Sequence, residues 1–319
     1  MSLDVTILGS GSALPMLGRM PSAHAVQSGR ATFLVDCGEG TQMRLLASRI
    51  SFETIRAIFL THAHGDHTLG IFGLLASMGM QHRKRGLTVY GPRGFTDIFW
   101  SNVHFFSERV EFDLSYVPLD DDEPLVVYQD SRLTVESIPL RHRIPTVGFV
   151  FREVEHPLNV SRNAVSRYGL TLEEIALAKR GYDIHREGGE VIPAASITFR
   201  RHDPVSYAYL SDTRFSERAV ALLGHVDTLY HEATYMENLS DNAKETGHST
   251  TRQAAEFARR VGADRLIVGH FSSRYEDVAP IIREVRHYFP NATAAKEGDR
   301  YRMSSFNCQG TPYEEVMKG

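Results

Sequence analysis

The stretch THAHGDH at 61–67 crowds four metal-ligating side chains into six positions: His62, His64, Asp66 and His67. The apolar segment IRAIFL before it predicts a buried strand, and the apolar LGIFGLLASM after it predicts a helix. Alternate side chains of an extended segment share one face, so the first two histidines point the same way. Gly65 permits a sharp turn that brings the other pair in from a different direction. One short loop can therefore supply two pairs of ligands to two neighbouring points.

Four more candidate ligands follow predicted strands or stand at a helix entrance: His142 in PLRHRIPTVGF, Asp212 in YLSDT, His270 in LIVGHFSSRY and His248 in ETGHSTTRQ. A rigid sheet presents functional side chains at the ends of its strands. Imidazole and carboxylate together suit zinc, although other first-row metals can replace it. Because one zinc needs only three protein ligands and a water, the number of donors favours two ions. A natural partition gives one ion His62, His64 and His142 and the other Asp66, His67 and His270, with Asp212 as the bridge.

The composition is that of a globular protein: 319 residues, 42% of them hydrophobic and 23% charged. No apolar run reaches the roughly 18 residues that span a membrane, and the N-terminus lacks a signal-peptide pattern. The only two cysteines are Cys37 and Cys308, so a disulfide framework is not expected. We expect reduced thiols and a cytoplasmic location. The net charge of −4 argues weakly against a nucleic-acid partner, but a local basic face is compatible with it.

Short strands alternate with helices along the whole chain, which predicts an α/β fold in a single domain over 1–319. The clearest helix is GHSTTRQAAEFARRVGA, which has hydroxyl residues near its start and Gly262 at its end. Residues 153–195 are polar and poor in strand signals, so we expect an inserted arm there. The alternative is one more packed helix.

Several motifs together resemble the metallo-β-lactamase superfamily and, more closely, the ribonuclease Z family of tRNA 3′-processing endonucleases. The superfamily motif is THAHGDH, and the more specific motifs are DCGEGTQ (36–42), HEAT (231–234), GHST and HFSSRY. ILGSGSALP and YGPRG (90–94) extend the resemblance over nearly the whole chain. It implies a four-layer αββα sandwich, with two zinc ions at the edge where the sheets open. It also implies a tRNA precursor as substrate and a homodimer in which the arm of one subunit serves the other's site.

The implied reaction is cleavage of the 3′ trailer, leaving a 3′-hydroxyl and a 5′-phosphate. Two zinc ions roughly 3.5–4 Å apart can hold a hydroxide that attacks the phosphodiester in line. Asp66 can both ligate zinc and orient or deprotonate the water. His248 is left over from the ligand count, so we expect it to stabilise the phosphorane or protonate the leaving oxygen. Glu232 of HEAT is a candidate to hold His248 in the right tautomer; the alternative is a structural salt bridge.

Binding a phosphate backbone requires cations near the site. Arg141 and Arg143 bracket His142, Arg274 follows His270, and Lys179 and Arg180 lie in the arm. HRKR (82–85) and RRH (200–202) are weaker candidates, since such runs are often solvated faces.

The chain departs from the family pattern in two places. The arm lacks a Gly-Pro core. Either it binds the tRNA elbow through Lys179, Arg180 and Arg186, or its role is altered. The loop ALPMLGRMPSAH lacks the Arg-Asn pair expected to probe the RNA end, so either a CCA end inhibits cleavage or CCA-containing precursors are also cut.

Two other functions remain open at this point. The first is a small-molecule hydrolase of the same fold: a phosphodiesterase, an arylsulfatase-like enzyme or a thioesterase. The second is a catalytically inactive scaffold that binds nucleic acid, which the complete ligand set disfavours.

Overall fold

The structure is a computed structural model that describes residues 3–14, 16–106, 110–155, 157–200 and 203–303. Cys308 and the last two residues of RRH lie outside these ranges. The chain divides into two compact units, one comprising 3–153 with 205–303 and the other 154–204. The first unit contains two mixed β-sheets flanked by helices.

The first sheet has the strand order β18-β1-β2-β3-β4-β5-β6. Its strands are β1 (Leu3–Gly9), β2 (Ala23–Ser28), β3 (Ala31–Val35), β4 (Ile55–Phe59), β5 (Leu87–Pro92), β6 (Leu114–Leu119) and β18 (Arg300–Met303). Strands β3 to β6 pair in parallel and the remaining pairs are antiparallel.

The second sheet has the order β17-β16-β15-β14-β9-β8-β7. Its strands are β7 (Leu125–Gln129), β8 (Leu133–Pro139), β9 (Val147–Glu153), β14 (Ser206–Leu210), β15 (Thr228–Glu232), β16 (Arg265–Gly269) and β17 (Ala292–Ala294). Because β14 to β17 are parallel, their carboxyl ends lie at one edge of the sheet. The side chains that follow three of these strands therefore meet there.

Alternation along the strands builds the layers. Phe33, Phe59 and Tyr209 point into the core between the sheets, while Ile58 and Leu210 point outward under the helices. Helices α1 (Thr41–Ala47), α3 (Gly70–Met80) and α4 (Thr96–Phe106) cover the first sheet. Helices α8 (Glu217–Leu223), α10 (Thr251–Val261) and α11 (Ala279–Tyr288) cover the second. The short helices α2 (Gly65–Thr68) and α9 (Ser240–Thr246) lie in loops.

The second unit has its own small core of Ala164, Leu170, Ala178, Ile184, Ile192 and Ile197. Its elements are β10 (Asn159–Val160), α5 (Arg162–Tyr168), α6 (Leu172–Lys179), β11 (Ile184–His185), β12 (Val191–Ile192), α7 (Ala194–Ile197) and β13 (Thr198–Phe199). The unit extends to 204, beyond the expected end at 195, because β10 pairs with β13. Thr171 and Glu174 form a capping box at the start of α6.

The sequence located the long apolar elements well. Helix α10 begins with a capping box between Thr250 and Gln253 and ends at Gly262, as its sequence predicts. Strands β2, β6, β17 and β18 were not predicted; the last two are only three and four residues long, too short to show a clear alternation. Within the described residues, no helix combines the length and apolar composition needed to cross a bilayer.

Candidate metal centre

The ends of strands from both sheets bring seven donor side chains together, with Asp212 at their centre. The first group is His62, His64, His142 and Asp212, and the second is Asp66, His67 and His270. Oδ2 of Asp212 lies 3.6 Å from Nε2 of His62 and 3.8 Å from Nε2 of His142. Oδ1 of Asp212 lies 3.1 Å from Nε2 of His270 and 3.4 Å from Nε2 of His67. Each oxygen of Asp212 thus faces a different group.

The spacing within each group fits ligands of one ion. Nε2 of His62 lies 2.9 Å from Nδ1 of His64. Two nitrogens on one tetrahedral zinc, each at 2.0–2.1 Å, are about 3.3 Å apart. In the second group, Oδ2 of Asp66 lies 3.4 Å from Nε2 of His67 and 3.5 Å from Nε2 of His270.

Hydrogen bonds at the far side of the rings leave nitrogens free to bind metal. Nδ1 of His67 donates to Oδ2 of Asp36 at 2.7 Å, and Nδ1 of His142 donates to the Gly247 carbonyl at 2.8 Å. Since the Thr61 hydroxyl donates to Asp36, it accepts from Nδ1 of His62 at 2.9 Å. A partner at Nδ1 fixes both the tautomer and the ring orientation of a ligating histidine.

His270 is held in the same way. The hydroxyl of Thr234 donates to Oε2 of Glu232 at 2.5 Å, so it accepts from Nδ1 of His270 at 2.9 Å. The φ of His270 is 57°, a conformation uncommon for a non-glycine residue and one that tends to cluster at functional sites.

The residues present therefore fit a metal. The Nε2 atoms of His67, His142 and His270 are buried and have no hydrogen-bond partner among the described residues. Buried polar atoms are normally satisfied, so three such nitrogens around shared carboxylates indicate a ligand set for cations.

The electrostatics agree with this interpretation, since Asp36, Asp66, Asp212 and Glu232 concentrate negative charge. Burial alone would raise the pKa of Asp66, but the nearby rings of His270 and His67 hold it below its usual range. Burial would lower the pKa of His67, but the carboxylates of Asp36 and Asp212 outweigh it and raise that pKa. The centre thus attracts positive charge, which a divalent cation would supply.

His248 and Glu232 lie next to this centre. Oε1 of Glu232 accepts from Nδ1 of His248 at 3.0 Å and from the Thr213 backbone at 2.7 Å. The pKa of His248 is about 9, because the charges of Glu232 and Asp212 outweigh its burial. Together with Asp212 and His270, His248 is also close enough to form a third potential donor group. Because Nδ1 of His248 bonds Glu232, Nε2 of His248 remains available to a substrate.

Three residues of the centre were missed by the sequence analysis. Asp36 stands in the DCGEGTQ motif and accepts from His67, Thr61 and Tyr209. Thr234 stands in HEAT and links Glu232 to His270. Both lie in motifs, and that signal could have identified them. The backbone of Ala13, which donates to Oδ2 of Asp66 at 2.8 Å, carries no side-chain signal.

The predicted RNA-binding cations occupy different positions. Arg141 and Arg143 are exposed on the loop that carries His142. The guanidinium of Arg274 lies 5.1 Å from the ring centroid of Tyr235, whose ring lies 6.1 Å from that of His248.

In the second unit, Lys179 and Arg180 are exposed at the end of α6. Arg186 instead pairs with Glu174 at 2.7 Å within that unit, which favours a structural role for it.

Comparison with known proteins identifies the family. A beta-lactamase superfamily domain matches residues 31–271. The ribonuclease Z of Bacteroides fragilis is 39% identical over 92% of this chain and 97% of its own length. The ribonuclease Z of Cytophaga hutchinsonii is 35% identical over 95% of this chain and 97% of its own. This chain belongs to the ribonuclease Z family.

Solved structures agree with this assignment. The crystal structure of human tRNase Z, short form, matches with a TM-score of 0.67 and 28% identity, covering 93% of this chain and 98% of that one. The resemblance drawn from the sequence motifs and the predicted αββα fold are thus confirmed.

Proposed function

We propose that this enzyme is a metal-dependent endoribonuclease that removes the 3′ trailer of tRNA precursors. The observation that carries the proposal is Asp212, whose two oxygens face two separate groups of buried donors. Such a centre suits in-line hydrolysis of a phosphodiester. Membership of the ribonuclease Z family supplies the substrate class.

Two zinc ions per chain best match the donors. His62, His64 and His142 would hold one, Asp66, His67 and His270 the other, and Asp212 would bridge them. When bound, the ions would supply Lewis acids that draw charge from the phosphate and make water a stronger nucleophile.

The side chains then have distinct roles. Asp66 orients or deprotonates the attacking water, and the backbone N–H of Ala13 and the nearby histidines fix the position of the Asp66 carboxylate. Protonated His248 donates from Nε2 to the leaving 3′-oxygen, while its Nδ1–H stays on Glu232. The carboxylate of Glu232, 3.0 Å from Nδ1, favours the protonated form of His248. The products carry 3′-hydroxyl and 5′-phosphate ends.

The RNA contacts follow from the exposed cations. Arg141, Arg143 and Arg274 would bind phosphates close to the scissile bond, and Lys179 and Arg180 of the arm would bind the tRNA body. We expect a cytoplasmic homodimer, as the most common symmetry of soluble oligomers.

Cleavage of a 3′-extended tRNA precursor with mapping of both ends tests the proposal. A chromogenic phosphodiester serves as the comparison substrate. A strong preference for the precursor over the diester, together with loss of this preference when residues 154–204 are deleted, supports the proposal. Equal or better turnover of the small diester would favour the small-molecule hydrolase instead. Well under one equivalent of zinc per chain, with no activity gained on adding metal, would indicate an inactive scaffold.

A further inference from the structure

A surface pocket of about 380 Å³ lies on the two loops that carry His142 and Asp212. Its lining residues are Asp121, Pro139, Leu140, Arg141, Phe215, Ser216, Glu217 and Arg218. The Arg141 backbone N–H donates to Thr213 at 3.1 Å, and Arg214 donates to the Arg141 carbonyl at 2.8 Å. Phe215 follows Asp212 by three residues, and three residues span at most about 11 Å. The pocket therefore lies close to the proposed scissile phosphate.

The charged groups of the pocket are not equally free. Arg218 pairs with Glu123 at 2.9 Å, and Glu217 pairs with Arg260 at 2.6 Å. In the part of the chain that the structure describes, neither the guanidinium of Arg141 nor the carboxylate of Asp121 has an ion-pair or hydrogen-bond partner. One cation and one acceptor therefore remain for a ligand.

The apolar part of the pocket comprises Pro139, Leu140 and the half-buried ring of Phe215. The guanidinium of Arg260 lies 5.7 Å from the centroid of that ring, and the ring of Phe257 lies 6.0 Å away at 74°. These neighbours fix the position of Phe215. A fixed aromatic ring is a surface on which a base stacks without regard to sequence.

We propose that this pocket binds one nucleotide of the RNA beside the scissile phosphate. The base stacks on Phe215, Arg141 binds the adjoining phosphate, and Asp121 accepts a hydrogen bond from an exocyclic amino group of the base. Adenine, cytosine and guanine carry such an amino group and uracil does not. The inference rests on the proposed function, since it requires an RNA substrate.

Abasic substitution along the precursor tests the pocket. Single abasic sites are placed at each of three nucleotides on either side of the cleaved bond, and KM and kcat are measured. In the wild type, one position is expected to raise KM about tenfold, the size of one lost stacking contact. In Phe215→Leu, the intact precursor already has the higher KM and the abasic site at that position adds nothing. Phe215→Tyr keeps a ring and behaves as wild type.

The zinc content should be unchanged in Phe215→Leu, which excludes a general loss of folding. At the sensitive position, uridine should raise KM relative to cytidine in the wild type but not in Asp121→Ala. If the wild type cleaves the precursor but no position responds both to an abasic site and to the Phe215 substitution, this inference is overturned and the proposed function is not. Failure of the wild type to cleave the precursor would overturn the proposed function and the pocket with it.

Discussion

Oδ2 of Asp36 accepts a hydrogen bond from Nδ1 of His67 at 2.7 Å, and both residues are fully buried. This bond directs Nε2 of His67 towards Asp66 and Asp212. The φ of Asp36 is 58°, so the backbone adopts a strained conformation to place the carboxylate there. Asp36 therefore positions a proposed ligand without being one.

Replacing Asp36 with asparagine should weaken metal binding. The amide keeps the shape of the side chain but loses the charge that stabilises the His67 N–H. Loss of such an outer partner typically costs 10–100-fold in metal affinity. Competition with a chromogenic chelator measures this affinity. An unchanged zinc affinity in Asp36→Asn would show that the bond to His67 does not tune the site.

Two stacked tyrosines offer a matched pair of variants. The rings of Tyr209 and Tyr230 lie 4.7 Å apart at 5°, but only Tyr209 donates to Asp36, at 3.0 Å. The Tyr230 hydroxyl has no hydrogen-bond partner in the described ranges. Tyr209→Phe should therefore weaken zinc affinity several-fold, while Tyr230→Phe leaves it unchanged. Equal effects of the two variants on affinity would mean that the hydroxyls act through packing alone.

His67→Ala and His248→Ala should separate metal binding from proton transfer. Removing His67 takes a donor from the second group, so metal content and cleavage should fall together. His248→Ala should retain metal and slow cleavage by roughly 10²–10⁴-fold, the size of a lost acid–base group. Zinc analysis and single-turnover cleavage measure the two quantities. A metal-free His248→Ala would place His248 among the ligands, where its distance of 3.9 Å from Asp212 would also permit it.

The buried His24 should make the stability depend on pH. Burial lowers its pKa to about 3, and Nδ1 bonds the Tyr207 hydroxyl at 2.7 Å. The unfolded chain binds a proton at this residue below about pH 6.5, but the folded chain does not until about pH 3. The free energy of unfolding therefore decreases as the pH is lowered from about 6.5 to about 3, by up to about 1.4 kcal/mol per pH unit from this residue.

Urea unfolding of the metal-free protein at pH 6.5 and pH 5 measures the effect. His24→Gln removes the titrating group. Its free energy of unfolding should therefore fall by about 2 kcal/mol less than that of the wild type between pH 6.5 and pH 5. Parallel losses in the two proteins would mean that His24 is not neutral in the fold.

The candidate ligands were predictable because local spacing in the sequence places them. THAHGDH joins a strand to a helix, and both the period of the strand and the turn at Gly65 follow from the sequence. Likewise, His142, Asp212 and His270 each follow a β-rich segment, and parallel strands bring such ends to one edge. The pairing of Glu232 with His248 was one of two interpretations left open by the sequence, and the distance of 3.0 Å comes from the structure alone.

The sequence by itself determined the family through its short motifs, and the layered fold through that resemblance. It also predicted which side chains serve as candidate donors, because short motifs and strand ends place them. Only the tertiary structure decided which atoms meet: Asp36 with His67, Tyr209 with Asp36, and Arg141 with Phe215 in one pocket. These contacts join residues that are distant in the chain, and the donor–acceptor distance of a hydrogen bond can vary by only a few tenths of an ångström. The relative placement of two packed sheets sets such distances, and no local sequence pattern encodes it.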